Sequence, residues 1–104
     1  MRKRKAITVD RIRKVLTIDD DGLVVFREDN GRRKAGDLAH LIMKNGRYII
    51  RVDGRYLDMT RVAWVIHHGE WPKFLVWQVR RHRRDFTAEN IVKWTEFNTP
   101  SPKK

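Results

Sequence analysis

A chain of 104 residues, 40% of them hydrophobic, is sized for one domain with a modest core. It contains no cysteine, which excludes disulfides and thiolate metal sites, and no apolar run approaches the roughly 18 residues that cross a bilayer. Twenty-four Lys and Arg against 13 Asp and Glu give a net charge of +11, which attracts polyanions, chiefly nucleic acid or an anionic membrane, and says nothing about fold.

Residues 1–6 read as a basic flexible arm carrying Arg2, Lys3, Arg4 and Lys5, without the apolar stretch of a signal peptide. Thr8 is placed to cap a short helix ending near Leu16. Asp10 lies in its first turn, and Val9, Ile12 and Leu16 form one apolar stripe. Residues 19–22, Asp-Asp-Asp-Gly, form a turn, and 23–27 a short strand of β-branched and aromatic residues. Residues 28–34 are a polar loop holding Asn30-Gly31 and a cluster of Arg32, Arg33 and Lys34.

Asn45-Gly46 and Asp53-Gly54 are both favoured type I′ hairpin turns, because both central residues must take positive φ. They predict an antiparallel three-strand meander at about 38–44, 47–52 and 55–58. In its middle strand Tyr48, Ile50 and Val52 share the core face, and Arg47, Ile49 and Arg51 the outer face. A helix follows over about 59–68, capped by Asp58 or Thr60 and stopped by Gly69 and Pro72. Residues 74–79 are a short apolar strand. Thr87 is a good N-cap for a last helix reaching about Phe97. Residues 99–104 hold two prolines and two lysines and read as a disordered tail.

From about Ile7 to Asn98 the order of these pieces is similar to one known pattern. It has a helix and an Asp-rich turn ending in Gly22, the step Ala35-Gly36, and the run Arg51-Val52-Asp53-Gly54-Arg55-Tyr56. Thr60-Arg61-Val62-Ala63-Trp64 and Gly69-Glu70-Trp71-Pro72 come next. The chain resembles the small HNH endonuclease family of phages and prophages, related to HNH homing endonucleases. The resemblance implies a β-hairpin and helix gripping one divalent metal. Matched backwards from Asn90-Ile91, the family's metal-binding aspartate falls on Trp77 and its general-base histidine on Gln78. Its loop asparagine falls on Phe86, and the upstream histidine of the helix motif on Thr60. Arg61, Trp64, Asp85 and Asn90 keep the pattern. Asn98 matches the late metal-binding position only if one residue is missing before it.

Those replacements remove the chemistry. A general base must accept a proton near neutral pH, as imidazole does with a pKa of roughly 6.5, and the amide of Gln78 does not. A hard divalent ion takes carboxylate oxygen, and the indole of Trp77 offers none. Without the metal, little remains to polarise a phosphate. Trp77 reads as core, with Phe74, Val76 and Phe86 filling the space of the old site, against a base-stacking alternative. Trp64 and Trp94 read as core. His67-His68 point about 100° apart on a helix and read as a cationic helix end rather than a ligand pair. His40 is a surface or core-edge residue, and His82 with Asp85 belongs to a solvated basic loop.

While that site lost its chemistry, the adjoining loop gained charge at Arg80, Arg81, Arg83 and Arg84. Each phosphate neutralised on duplex DNA contributes about −0.9 to a log–log salt slope. The outer sheet face, with Arg47 and Arg51 and with Arg55 as a further candidate, offers a second surface; arginine reads guanine edges bidentately, and a three-stranded sheet lies in the major groove in plant ethylene-response factors. The plain alternative is that these arginines solvate a one-sided sheet.

The expectation is one α+β domain over 7–98, with the meander and its helix at 35–72 and a degenerate ββα-metal hairpin and helix at 73–98. It binds DNA, not a membrane, needs no cofactor and does not cut. The resemblance implies a phage or prophage origin and a place in the bacterial cytoplasm. Three alternatives stay open. One is an active Mg²⁺-dependent nuclease with a site rebuilt from His82, Asp85, Glu89 or Asn98. Another is an RNA binder. The third is a small phage protein that modulates an acidic host protein.

Overall fold

The computed structural model describes residues 7–80 and 84–93, which form two helices and three small antiparallel sheets. Helix α1 (Val9–Val15) starts at Thr8, whose hydroxyl accepts a hydrogen bond from Arg11 N at 3.1 Å. That cap satisfies one of the donors a helix start leaves unpaired. α1 buries Ile12 and Val15. It passes directly into β1 (Leu16–Ile18), where the sequence suggests the helix end at Leu16 and no strand before the 19–22 turn.

β1 pairs with β2 (Val24–Phe26), Leu16 opposite Phe26. The 19–22 turn between them is held by Asp19, whose carboxylate accepts from Asp21 N and Leu23 N, each at 2.9 Å. Gly22 has φ +84° and is packed so closely that an added Cβ would lie 2.5 Å from Asp85 Oδ1. Phe86 N also donates to Gly22 O at 2.9 Å, so the Asp-rich turn docks on the distant 85–86 segment.

The meander is β3 (Ile42–Lys44), β4 (Arg47–Val52) and β5 (Arg55–Asp58), with β3 shorter than the sequence suggested. Both expected turns form, with φ positive at Asn45, Gly46, Asp53 and Gly54. Tyr48, Ile50 and Val52 are buried as the alternation required. α2 (Met59–His68) has the expected bounds. Asp58 caps it, accepting from Thr60 N at 3.0 Å, and Gly69 ends it in the left-handed conformation. α2 packs against α1 and against strands of all three sheets, and it buries Met59, Val62, Ala63 and Val65. Burying Val62 and Val65 stabilises the fold by about 1.5–3 kcal/mol each. The remaining pair is β6 (Val76–Gln78) with β7 (Ile91–Lys93).

That last pairing corrects an expectation. The helix expected from Thr87 to about Phe97 is not formed over its described part. Ala88–Asn90 make a single 3-10 turn, and Ile91–Lys93 are strand. Thr87 makes no side-chain cap; its amide and hydroxyl donate to the Asp85 carboxylate at 3.0 and 2.8 Å. The β-branched Ile91 and Val92 then find a strand partner in Gln78 and Trp77. β6 thus pairs with residues expected to be helical: Asn90-Ile91 lead into a strand rather than opening an α-helix, so the observed hairpin is not the one expected to precede that helix.

Candidate nucleic-acid interface

β6 alternates so that Val76 and Gln78 are buried, while Trp77 is half-buried and stands outside the main apolar cluster. Of Trp77, Gln78 and Phe86, only Phe86 belongs to the apolar core: it is 0% exposed and meets Tyr48 edge-on at 5.6 Å. The expectation that Trp77 and Phe86 fill the core together therefore holds for Phe86 alone. The polar residues are occupied in closing the loop. Gln78 Nε2 donates to the Asp85 carbonyl at 3.3 Å, and Asn90 Nδ2 donates to the same oxygen at 2.7 Å. Asn90 Oδ1 accepts from Arg80 N at 2.7 Å, and Val79 N donates to Asn90 O at 2.9 Å. A buried amide side chain is costly unless such partners satisfy it, and here the partners are backbone groups at both ends of the loop.

Neighbouring chemistry is engaged in the same way. The ring Nε2 of His67 donates to the Phe86 carbonyl at 2.7 Å, while His68 stacks on Trp64 at 3.8 Å, so the two histidines serve different contacts. Trp64 is half-buried rather than fully core and meets Phe74 edge-on at 5.0 Å. Thr60 is buried, its hydroxyl donating to Asp58 Oδ1 at 2.6 Å. Arg61 lies over Trp71, 5.8 Å from the ring centre. Among the described residues no three His, Cys, Asp or Glu side chains are grouped as metal ligands would be.

Arg80 and Arg84 are exposed at the two ends of the loop, Arg84 with its guanidinium 5.7 Å from the Tyr48 ring centre. Arg81 and Arg83 lie outside the described residues, as do the arm residues Arg2, Lys3, Arg4 and Lys5, and His82, Trp94 and Asn98.

On the outer sheet face the expected arginines separate. Arg47 forms an ion pair with Asp58, the cap of α2, so its charge is neutralised locally. Arg55 is half-buried. Arg51 is exposed and lies over Tyr56, its cross-strand partner, 5.6 Å from the ring centre. Beside this pair opens a cleft of about 650 Å³, bounded by Arg32, Arg33, His40, Ile42, Arg51 and Tyr56. Its far wall is a tight turn in which Asn30 and Arg33 exchange both backbone hydrogen bonds, at 2.8 and 2.9 Å.

An ionic network sets that wall against the sheet. Arg11 binds both Asp53 oxygens at 2.9 Å and Glu28 at 3.0 Å. Asn30 Nδ2 donates to Asp53 Oδ1 at 2.9 Å, and Asp53 N donates back to Asn30 Oδ1 at 3.1 Å. The hydrogen bonds from Arg11 hold the Asp53 carboxyl below the usual carboxylate range, and the same contact raises the Arg11 guanidinium. Arg32 and Arg33 belong to one basic cluster in the sequence and Arg51 to another; the structure joins them at one cleft. Tyr56 is marked by no binding motif of its own, but the register fixed by Asp53-Gly54 puts it opposite Arg51.

Comparison with protein-family models, with curated proteins and with solved structures gives no match. No helix among the described residues is long and apolar enough to cross a membrane.

Proposed function

We propose that this protein binds nucleic acid, with duplex DNA as its ligand, on a catalytically degenerate HNH scaffold of phage or prophage origin, and does not cut it. One observation carries the reading. Gln78, where the resemblance puts the general base, and Asn90, where it puts the opening of the last helix, are buried and bound to loop backbone, while Arg80 and Arg84 on the same loop face solvent. The site's polar groups hold a loop closed, and the loop carries cations.

In this mechanism Arg80, Arg81, Arg83 and Arg84, with Arg2, Lys3, Arg4 and Lys5 of the arm, neutralise phosphates. Such contacts give affinity and orientation without sequence information. The experiment is fluorescence anisotropy with labelled duplex DNA across a salt series, for the wild type and for a variant with the four loop arginines changed to Gln. The wild type is expected to lose affinity steeply with salt. The variant is expected to lose tight binding, with a salt slope smaller by about 0.9 per contact removed. Binding that survives with the same slope would overturn the role of the loop. Plasmid nicking with Mg²⁺ or Mn²⁺ that survives in the arginine variant but not in an Asp85 or Glu89 variant would overturn the non-cutting reading. Preference for structured RNA, or recovery of one acidic host protein that duplex DNA does not displace, would overturn the choice of ligand.

A further inference from the structure

We propose that the cleft between the 30–33 turn and the outer face of the β3–β5 sheet holds one unpaired nucleotide of a DNA strand. Its base stacks at Tyr56, and its flanking phosphates lie among Arg32, Arg33 and Arg51. This rests on the nucleic-acid reading above but uses a different surface from the hairpin arginines.

Tyr56 is 62% exposed, and its hairpin register places it on the outer face of the sheet, away from the core residues Ile50 and Val52. An aromatic side chain left to solvent beside a cation offers a π-face together with a charge. Bases present free π-faces of their own only where they are unpaired. The cleft supplies the rest. Three arginines and His40 contribute to its lining, and no acidic residue does. None of Arg32, Arg33 and Arg51 joins an ion pair among the described residues. The carboxylates nearest in sequence are directed elsewhere. Asp53 and Glu28 bind Arg11, Asp29 accepts from Ala35 N at 2.9 Å, and Asp37 accepts from Lys34 N at 2.8 Å.

Size selects the ligand further. A volume of about 650 Å³ falls in the range of small-ligand sites, the scale of a single nucleotide. Ile42 gives an apolar edge, which suits a base and not a phosphate. An acidic peptide would use the arginines but would leave the exposed ring without a stacking partner. The wall is fixed by the Arg11–Asp53–Asn30 network, so the cleft is formed before any ligand arrives.

The test uses the full chain and DNA hairpins carrying 2-aminopurine, either bulged out or paired, and a single strand of the same sequence. Proteins are the wild type, Tyr56→Ala, Tyr56→Phe and the triple variant Arg32→Gln, Arg33→Gln, Arg51→Gln. Binding of the bulged probe is expected to quench its fluorescence, while the paired probe stays bright. Tyr56→Ala should bind the single strand about tenfold more weakly and lose the quench, and Tyr56→Phe should keep both. Duplex affinity of Tyr56→Ala should be unchanged. Thermal melting of Tyr56→Ala that matches the wild type checks that the fold is intact; if it melts early, the quench is read from the triple variant, which keeps the Tyr56 ring and removes the three cations.

Wild-type quenching and affinity retained in both Tyr56→Ala and the triple variant would overturn this inference and leave duplex binding by the hairpin standing. Failure of the wild type to bind any DNA would overturn both readings. Free 2-aminopurine nucleotide that competes as well as the oligonucleotide would show a nucleotide site rather than a strand site and overturn the assignment to DNA.

Discussion

The β6–β7 hairpin and the cleft beside the β3–β5 sheet are both rich in polar side chains, but they dispose of them in opposite ways. In the hairpin, Gln78 and Asn90 turn inward and bind the loop's own backbone. At the cleft, Arg32, Arg33 and Arg51 face outward and have no carboxylate partner among the described residues. A satisfied buried polar group stabilises a shape, whereas an unneutralised exposed cation is available to a ligand. Chemistry-bearing residue types therefore say little until their partners are known.

The sharpest way to break this comparison is to remove one aromatic from each region. Phe86 is fully buried against Tyr48 and lies between two anchors, the Gly22 carbonyl and the His67 ring. Phe86→Ala is expected to cost about 3–5 kcal/mol, enough to threaten folding at 37 °C. Tyr56→Ala should stay within about 0.5 kcal/mol of the wild type, because its ring is on the surface. Urea denaturation of the two variants measures both. Comparable losses would mean that the cleft aromatic is structural and the contrast is false.

A smaller effect sharpens the hairpin side. Asn90 joins both ends of the loop through Arg80 N and the Asp85 carbonyl. Asn90→Ala leaves the Arg80 amide without this acceptor and should cost about 1–3 kcal/mol. Hydrogen exchange at the amides of Val79 and Arg80 should accelerate with it. Unchanged exchange would show that the loop is closed by strand pairing alone.

How much of this was legible depended on how local the cause was. The helix over 59–68 and both I′ turns were readable because Asp58, Gly69, Asn45-Gly46 and Asp53-Gly54 fix backbone conformation by themselves. Thr87-Ala88-Glu89 carries the same kind of local signal for a helix, and there it misled. Asp85 takes the Thr87 hydroxyl, and a three-residue pairing with β6 decides the rest. The cleft was illegible for a similar reason. Arg32 and Tyr56 are neighbours because Asn30 binds the turn at Asp53 directly and Arg11, from a third element, ties Asp53 to Glu28. The burial of Gln78 is half-legible: strand alternation places it on one face with Val76, but which face is inward follows from where α2 lies.

That tie gives the smallest effect and the cleanest sign. Asp53 is held below its ordinary range in the folded protein by Arg11. A depressed folded value means that the contribution is complete above the unfolded pKa, about 3.9, and is lost as pH falls through the folded value. Asp53→Asn suits the test because asparagine tolerates the positive φ of this turn position and keeps its shape. Both partners are about one-third exposed, so solvent screens the pair and the expected loss is only about 1 kcal/mol at pH 7. Chemical denaturation at pH 7 and again below pH 3 should show the gap between wild type and variant closing at the lower pH. A gap that stays constant would assign the effect to turn geometry. A gap that closes, accompanied by weaker probe quenching in the variant at pH 7, would tie the charge on Asp53 to the shape of the cleft, because the residue that holds the wall is then the one that titrates.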